Sequence, residues 1–235
     1  PGQAATLRAA YKNAQKVICV GTLLKKNLTP YLEHPDKAVV IPNFVDIGTF
    51  RQSGHRTEKE KKFTFVSIGN LSKRKGFGEL LDAFAQSFHN RPHVSLVIAG
   101  DGEEQANLQD KIRTLRLEQQ VTLAGRLSRE EIALLLASSD AFVLASHAET
   151  FGIVFIEAMA TGMPAIGTVC GGPEDIITPE SGYLEALAGK MCEIYENYEQ
   201  FDKELIRQSI AGRFDFKLAG QKLKEIYQSI ERTKK

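Results

Sequence analysis

Residues 149–164 read Glu-Thr-Phe-Gly-Ile-Val-Phe-Ile-Glu-Ala-Met-Ala-Thr-Gly-Met-Pro. Before them, residues 141–144 form a short apolar run that ends in Ala145-Ser146-His147; after them, residues 164–168 form a second run. Two apolar runs joined by one helical stretch, at 153–162, read as parallel strands with a crossover helix. Gly152 permits close backbone approach at the start of that helix, where free N–H groups and the dipole favour a phosphate. Glu149 and Glu157 have seven residues between them, so the second falls about two turns after the first and both can reach one cavity. A carboxylate beside a phosphate would repel it. The two glutamates are therefore read as acceptors from sugar hydroxyls, and the element as a nucleotide-sugar site. Ile153, Val154, Ile156, Ala158, Met159 and Ala160 make the helix almost wholly apolar, so a Glu within it needs a partner or a water-filled cleft.

The same rhythm extends outward. Apolar runs at 63–69, 94–99 and 121–124 alternate with helical patterns at 79–90, 103–116 and 129–138. Strands spaced by single helices predict an α/β fold, a Rossmann-like parallel sheet with helices on both faces. Strand ends at Ser67-Ile68-Gly69, Ala99-Gly100-Asp101-Gly102 and Ala145-Ser146-His147 then share one carboxyl rim, where ligands bind in open α/β sheets. Upstream, a helix is expected at 4–15, a strand at 17–20, a helix at 22–32 and a strand at 39–41 that stops at Pro42-Asn43. Beyond Tyr183 the chain reads as helical, at 185–197, 200–211 and 216–231. A polar stretch from Ile47 to Lys62 marks a domain boundary.

With 43% apolar and 25% charged residues over 235 positions, the composition is that of a soluble globular protein. A net charge of +1 gives no pull towards nucleic acid or a membrane surface. Cys19, Cys170 and Cys192 lack metal-ligand spacing, and an odd number does not suit a disulfide framework; reduced thiols in a cytoplasmic protein are expected. No run approaches the roughly 18 apolar residues of a membrane span, and no signal peptide is visible. The chain starts at Pro1 and leads straight into a helical pattern, so it is expected to be a piece of something longer.

Gly69-Asn70-Leu71-Ser72-Lys73-Arg74-Lys75-Gly76 is a Gly-bounded strand-to-helix turn carrying cations, a cradle for a diphosphate with Lys75 as the point charge. Gly100-Asp101-Gly102 is also explained by a tight turn. Ser128, with Glu131 three residues on, reads as a capping box and hence as structural, while Arg126 points to the rim as a contact for a base or a phosphate. Gly171-Gly172-Pro173-Glu174-Asp175 suits either a structural turn or close ligand approach, and His147 is a candidate sugar contact.

In order and spacing these segments resemble the nucleotide-sugar-binding half of the retaining glycosyltransferases of family 4, which have the two-domain GT-B fold. The resemblance runs through G-x-L-S-x-x-K-G (69–76), V-I-A-G-D-G-E (97–103), G-R-L-S-x-E-E (125–131), S-S-D-A-F-V-L-A-S (138–146), E-x7-E (149–157), E-A-M-A-x-G-x-P (157–164) and G-G-x-E-D (171–175). It implies that Glu149 contacts the donor sugar near the reacting centre and that Glu157 binds the ribose. The amides of Phe151, Gly152 and Ile153 hold the diphosphate or the sugar, and Arg126-Leu127 meets the base. Lys75 matches one of two cations on the diphosphate. Asn70 stands where the other is usually Arg, with Arg74 or Lys73 as possible replacements.

The activity implied is transfer of a hexosyl group from a nucleotide-diphosphate sugar, UDP in preference to GDP, to a glycan or lipid-linked acceptor hydroxyl with retention. No metal and no cofactor beyond the donor is expected, and no nucleic acid. The setting implied is polysaccharide or glycolipid synthesis in the cytoplasm or at the inner face of the membrane, with any membrane contact made by the full-length protein. Residues 1–50 are expected to close an N-terminal acceptor domain and hinge, and 51–62 to be a polar linker. Residues 63–212 then form the donor domain, and 213–235 a helix packing back on the N-terminal domain. By itself the chain is expected to bind donor weakly and to turn over little. A nucleotide-sugar epimerase and a sugar phosphorylase share the fold, but the extra acid/base groups or the cofactor Lys they need are not identified. A non-catalytic nucleotide-sugar-binding module is the third alternative.

Overall fold

The computed structural model describes residues 2–50, 62–184 and 187–233. The N-terminal segment holds α1 (Gly2–Lys12), β1 (Val17–Cys19), α2 (Thr22–Leu28) and β2 (Ala38–Val40), with β1 and β2 paired in parallel. The helix expected to run to residue 32 stops at Leu28 and tightens into a 3-10 turn, Thr29–Tyr31. Pro30 explains the break, since it has no N–H to continue the ladder. Residues 51–61, most of the expected linker, lie outside the described residues.

A six-stranded parallel sheet follows, built from β3 (Phe63–Ile68), β4 (Val94–Ala99), β5 (Val121–Gly125), β6 (Ala141–Leu144), β7 (Ala165–Gly167) and β8 (Gly182–Leu184). Helices α3 (Phe77–Phe88), α4 (Gln105–Thr114), α5 (Arg129–Ala137) and α6 (Ile153–Ala160) connect the first five strands, and α7 (Leu187–Glu196), α8 (Lys203–Phe214) and α9 (Phe216–Thr233) follow the last. The three helices expected beyond Tyr183 are present, and β8 is an additional strand, just before them, that the sequence does not predict. It is only three residues long, with just Gly182 buried, so it carries no apolar run to read.

The strands form because they are mostly apolar and largely buried, β6 in all four residues, with Thr64, Ser67, Ser95 and Thr122 the polar exceptions in β3, β4 and β5. Helix α3 buries Phe77, Leu80, Leu81, Phe84 and Phe88, a single helical face, and packs on α7, while α6 packs on α8. Strand order is β5-β4-β3-β6-β7-β8, so the chain winds outward from β3 in one direction and from β6 in the other. The carboxyl ends of β3 and β6 are therefore neighbours at the point where the winding reverses, the place where such sheets open a ligand crevice. The segment at 47–50 is fastened to the sheet domain by Arg207 of α8, which donates to Ile47 O (3.0 Å), Phe50 O (2.8 Å) and Ala160 O (2.5 Å).

Candidate functional site

At that reversal the structure joins two sequence-predicted residues. Lys75 closes the 3-10 turn Lys73–Lys75 after β3, and Glu149 lies in the loop after β6. Lys75 Nζ donates to Glu149 Oε1, and Ser146 Oγ donates to the same oxygen at 2.7 Å. The side chains are only 12% and 7% exposed, so the pair is desolvated and not a surface ion pair. A lysine ammonium carries three donors, and the bond to Glu149 uses one. Gly76 makes the juxtaposition possible: at φ +64° it lies under β6 so closely that a Cβ would stand 2.0 Å from Ala145 O. The Glu149 backbone is held as well, its N–H donating to Cys170 O at 3.1 Å.

Gly152, at φ +88°, is the N-cap of α6, and no side chain caps this helix. Its first turn thus presents backbone N–H groups beside the Lys75–Glu149 pair, with Phe151 buried beneath and Ile153 43% exposed. Glu157 lies one further stretch along α6 in a different environment. It is half-buried, and burial pushes its carboxyl above the ordinary carboxylate range, opposed in part by Arg129. Arg129 also lies 5.7 Å from the Phe50 ring and lines a cavity of about 350 Å³ with Asn43, Phe44, Asp46, Ile153 and Phe216.

The other expected contacts are on the rim but not at the pair. Asn70 is exposed, its side-chain oxygen beside Gly102. Arg126 is 83% exposed and 3.9 Å from the Asp101 carboxylate, and Leu127 is half-buried against the core. These loops form one surface: Leu71 N donates to Asp101 O, and Gly100 N to Gly125 O, each at 2.8 Å. Arg74 Nη1 donates to Ala148 O at 2.8 Å, so its guanidinium braces the backbone next to Glu149. His147 faces Glu79 of α3, at 3.1 Å, and not Glu149. A larger groove, about 500 Å³, lies between α3 and α4 and is lined by Lys73, Arg74, His147, Glu79 and Asp82 among others. It omits Lys75, Glu149 and the α6 N-terminus, so it is a separate feature from the pair. Among the described residues no group of three or more His, Cys, Asp or Glu could hold a metal ion, and no helix is long and apolar enough to cross a membrane.

Residues 49–208 match the family described as Glycosyl transferases group 1. The chain belongs to that family. It is 27% identical to the phosphatidylinositol N-acetylglucosaminyltransferase GPI3 subunit of Saccharomyces cerevisiae (strain YJM789), over 94% of this chain and 52% of that protein. It is 34% identical to N-acetyl-alpha-D-glucosaminyl L-malate synthase of Bacillus anthracis, over 67% of this chain and 43% of that protein. The chain thus spans about half the length of the curated relatives it matches. Among solved structures, Anabaena Alr3699/HepE in complex with UDP and glucose superposes with a TM-score of 0.81 at 24% identity, covering 96% of this chain and 67% of that one. Sucrose-phosphate synthase from Thermosynechococcus elongatus gives 0.84 at 21%, covering 99% and 62%. These likenesses bear on the fold, and the parallel sheet with helices on both faces is the one expected.

Three residues that the structure brings to or beside this candidate site were given no role of their own in the sequence reading. Ser146 was visible only as a small residue at a strand end, although its place three before Glu149 allows a local hydrogen bond. Arg129 follows the N-cap Ser128, and a cation there opposes the helix dipole, which is a signal of another employment. Asp175 stood in the Gly171–Asp175 loop already noted, but its partner, 153 positions away, leaves no local trace.

Proposed function

We propose that this chain is the donor-binding part of a transferase that moves a hexosyl group from a nucleotide-diphosphate sugar, UDP in preference to GDP, to an acceptor hydroxyl with retention. The carrying observation is the buried Lys75–Glu149–Ser146 cluster at the reversal of the sheet, beside the uncapped start of α6. Family membership supports transfer chemistry, and relatives named for N-acetylglucosaminyl transfer and a structural neighbour holding UDP and glucose support this donor class.

In this reading the bond from the anomeric carbon to the diphosphate breaks and the negative charge gathers on the departing phosphate oxygen. Lys75 and the N–H groups of Phe151, Gly152 and Ile153 stabilise it from fixed positions in a dry setting, where such groups act most strongly. Glu149 receives a hydroxyl of the donor sugar and Glu157 the ribose hydroxyls, while Arg126 and Leu127 meet the base. The glutamates are not the acid and base of a glycosidase, because Glu157 serves the ribose, away from the anomeric carbon. The acceptor, a glycan or lipid-linked hydroxyl, is met by an N-terminal domain, with residues 1–50 as its end and hinge, 51–62 as linker, 63–212 as the donor domain and 213–235 as the returning helix. The place is the cytoplasm or the inner membrane face, and no cofactor beyond the donor is required.

Calorimetric titration with UDP, GDP and ADP tests this, beside a Glu157→Ala variant. Selective binding of UDP, weakened at least tenfold by the substitution, is expected. No heat with any nucleotide at millimolar concentration, in this chain and in a version extended by its N-terminal domain, would overturn the reading. Retention is checked by the anomeric configuration of the product made by the extended protein.

A further inference from the structure

Helix α2 starts after Gly21, which has no side chain with which to cap it. The cap comes from the far end of the chain. Asp175 Oδ2 accepts from Thr22 N at 2.6 Å and Asp175 Oδ1 from Thr22 Oγ1 at 2.5 Å, across 153 positions. A carboxylate on the first amide of a helix does what an N-cap side chain does, here supplied in trans.

Asp175 is itself held from behind. Arg213 of α8 donates to Asp175 O, and to Ile176 O at 3.1 Å. The same loop leads back to the site: Gly171 N donates to both carboxylate oxygens of Glu174, at 2.8 and 3.0 Å. A Cβ on Gly171 would stand 2.9 Å from Glu149 O, and the adjacent Cys170 O accepts from Glu149 N. The start of α2 touches the Glu149 loop directly as well, since a Cβ on Gly21 would stand 3.0 Å from Asp175 Oδ2 and 3.2 Å from Thr150 O. The N-terminal segment therefore rests on the residue after Glu149 and on the loop that holds the Glu149 backbone, with Asp175 as the polar bond across the contact.

We infer that Asp175 is a positioning residue that caps α2 from across the fold and thereby holds the Glu149 loop in place. Its effect on donor binding rests on the function proposed above. Coupling between two such places is reciprocal, so an ordered Glu149 loop also favours the cap.

Amide hydrogen exchange on the 235-residue chain tests the inference without any nucleotide. In Asp175→Ala, exchange is expected to accelerate about fivefold, the worth of one helix cap, at residues 22–25 and also at Glu149, while the β3 and β4 amides stay unchanged. Thr22→Val removes the other partner and retains the Thr22 amide bond, so it gives the same pattern at smaller size even if the Asp175 variant folds poorly. Acceleration confined to α2 overturns the inference. UDP titration adds the functional arm: a weakening of a few-fold in Asp175→Ala is expected, and unchanged affinity overturns the coupling to the donor site. If neither the unmodified chain nor its extended version binds nucleotide, the functional reading is what fails, and the exchange pattern alone decides the role of Asp175.

Discussion

Breaking the Lys75–Glu149 pair is the sharpest test of how this site is held. Exposed ion pairs contribute about 0–1 kcal/mol, whereas removing one partner of a buried pair costs about 3–5 kcal/mol, because the remaining charge is left without compensation. Exposures of 12% and 7% place the pair in the second class. After Lys75→Met, Glu149 keeps only the Ser146 hydroxyl, a bond worth about 1 kcal/mol net. In a chain of this size each kcal/mol moves the melting temperature by about 2–4 °C, so the variant is expected to melt roughly 10 °C lower. Glu149→Gln strands the ammonium instead and is expected to cost a similar amount. The double variant Lys75→Met/Glu149→Gln leaves no unpaired charge, and its cost is expected to fall short of the summed singles by about 2 kcal/mol. Urea titrations of the four proteins measure this. Additivity within about 0.5 kcal/mol would refute the reasoning, since it would mean the two groups do not share a desolvated contact.

Gly76→Ala combines left-handed backbone with a Cβ 2.0 Å from Ala145 O, so it is expected to cost more than about 3 kcal/mol and to show as loss of folded protein on expression. Arg207→Met removes three donations, to Ile47, to Phe50 and to the end of α6, and about 2–3 kcal/mol is expected in urea melts, with faster proteolysis near residue 50. Burial raises the Glu157 carboxyl above its ordinary 4.5, so the folded state holds that proton more tightly than the unfolded one. Stability from this group is present below 4.5 and lost as pH rises to the raised value, so Glu157→Gln is expected to melt higher than the unmodified chain at neutral pH but not in acid.

The sheet was legible because parallel strands covered on both faces are mostly apolar, and β3 to β7 each show such a run, interrupted only by Thr64, Ser67, Ser95 and Thr122. Strand β8 was not, because three residues that pair at a sheet edge need no run of their own. The site divides similarly. Glu149, Gly152 and Glu157 sit on one local element whose spacing carries the reading. That Lys75 reaches Glu149 follows from strand order, which sequence spacing does not encode: 74 positions separate them, and only the β3–β6 adjacency closes the distance. Arg74 and His147 show the converse, since side chains close in sequence to the site are spent on Ala148 O and Glu79. Loop residues such as Asp175 are polar wherever they occur, and their use is set by the element brought against them.

Glu149 and Glu157 look alike in the sequence, yet their surroundings differ in a way that bears on binding. Glu149 is fixed by an ammonium and a hydroxyl, whereas the leading influence on Glu157 is lost hydration, which favours its protonated form. Hydroxyls that donate to Glu157 would stabilise the charged form and draw its pKa down, so a nucleotide whose ribose binds there must expel a proton wherever the free carboxyl is partly protonated. UDP binding is therefore expected to weaken as pH falls through the raised Glu157 value and to release up to about one proton on its acid side. Calorimetry in two buffers of different ionisation enthalpy reads that release directly, and Glu157→Gln is expected to abolish it. Binding that persists at acid pH without proton release would place the ribose elsewhere, whatever its affinity.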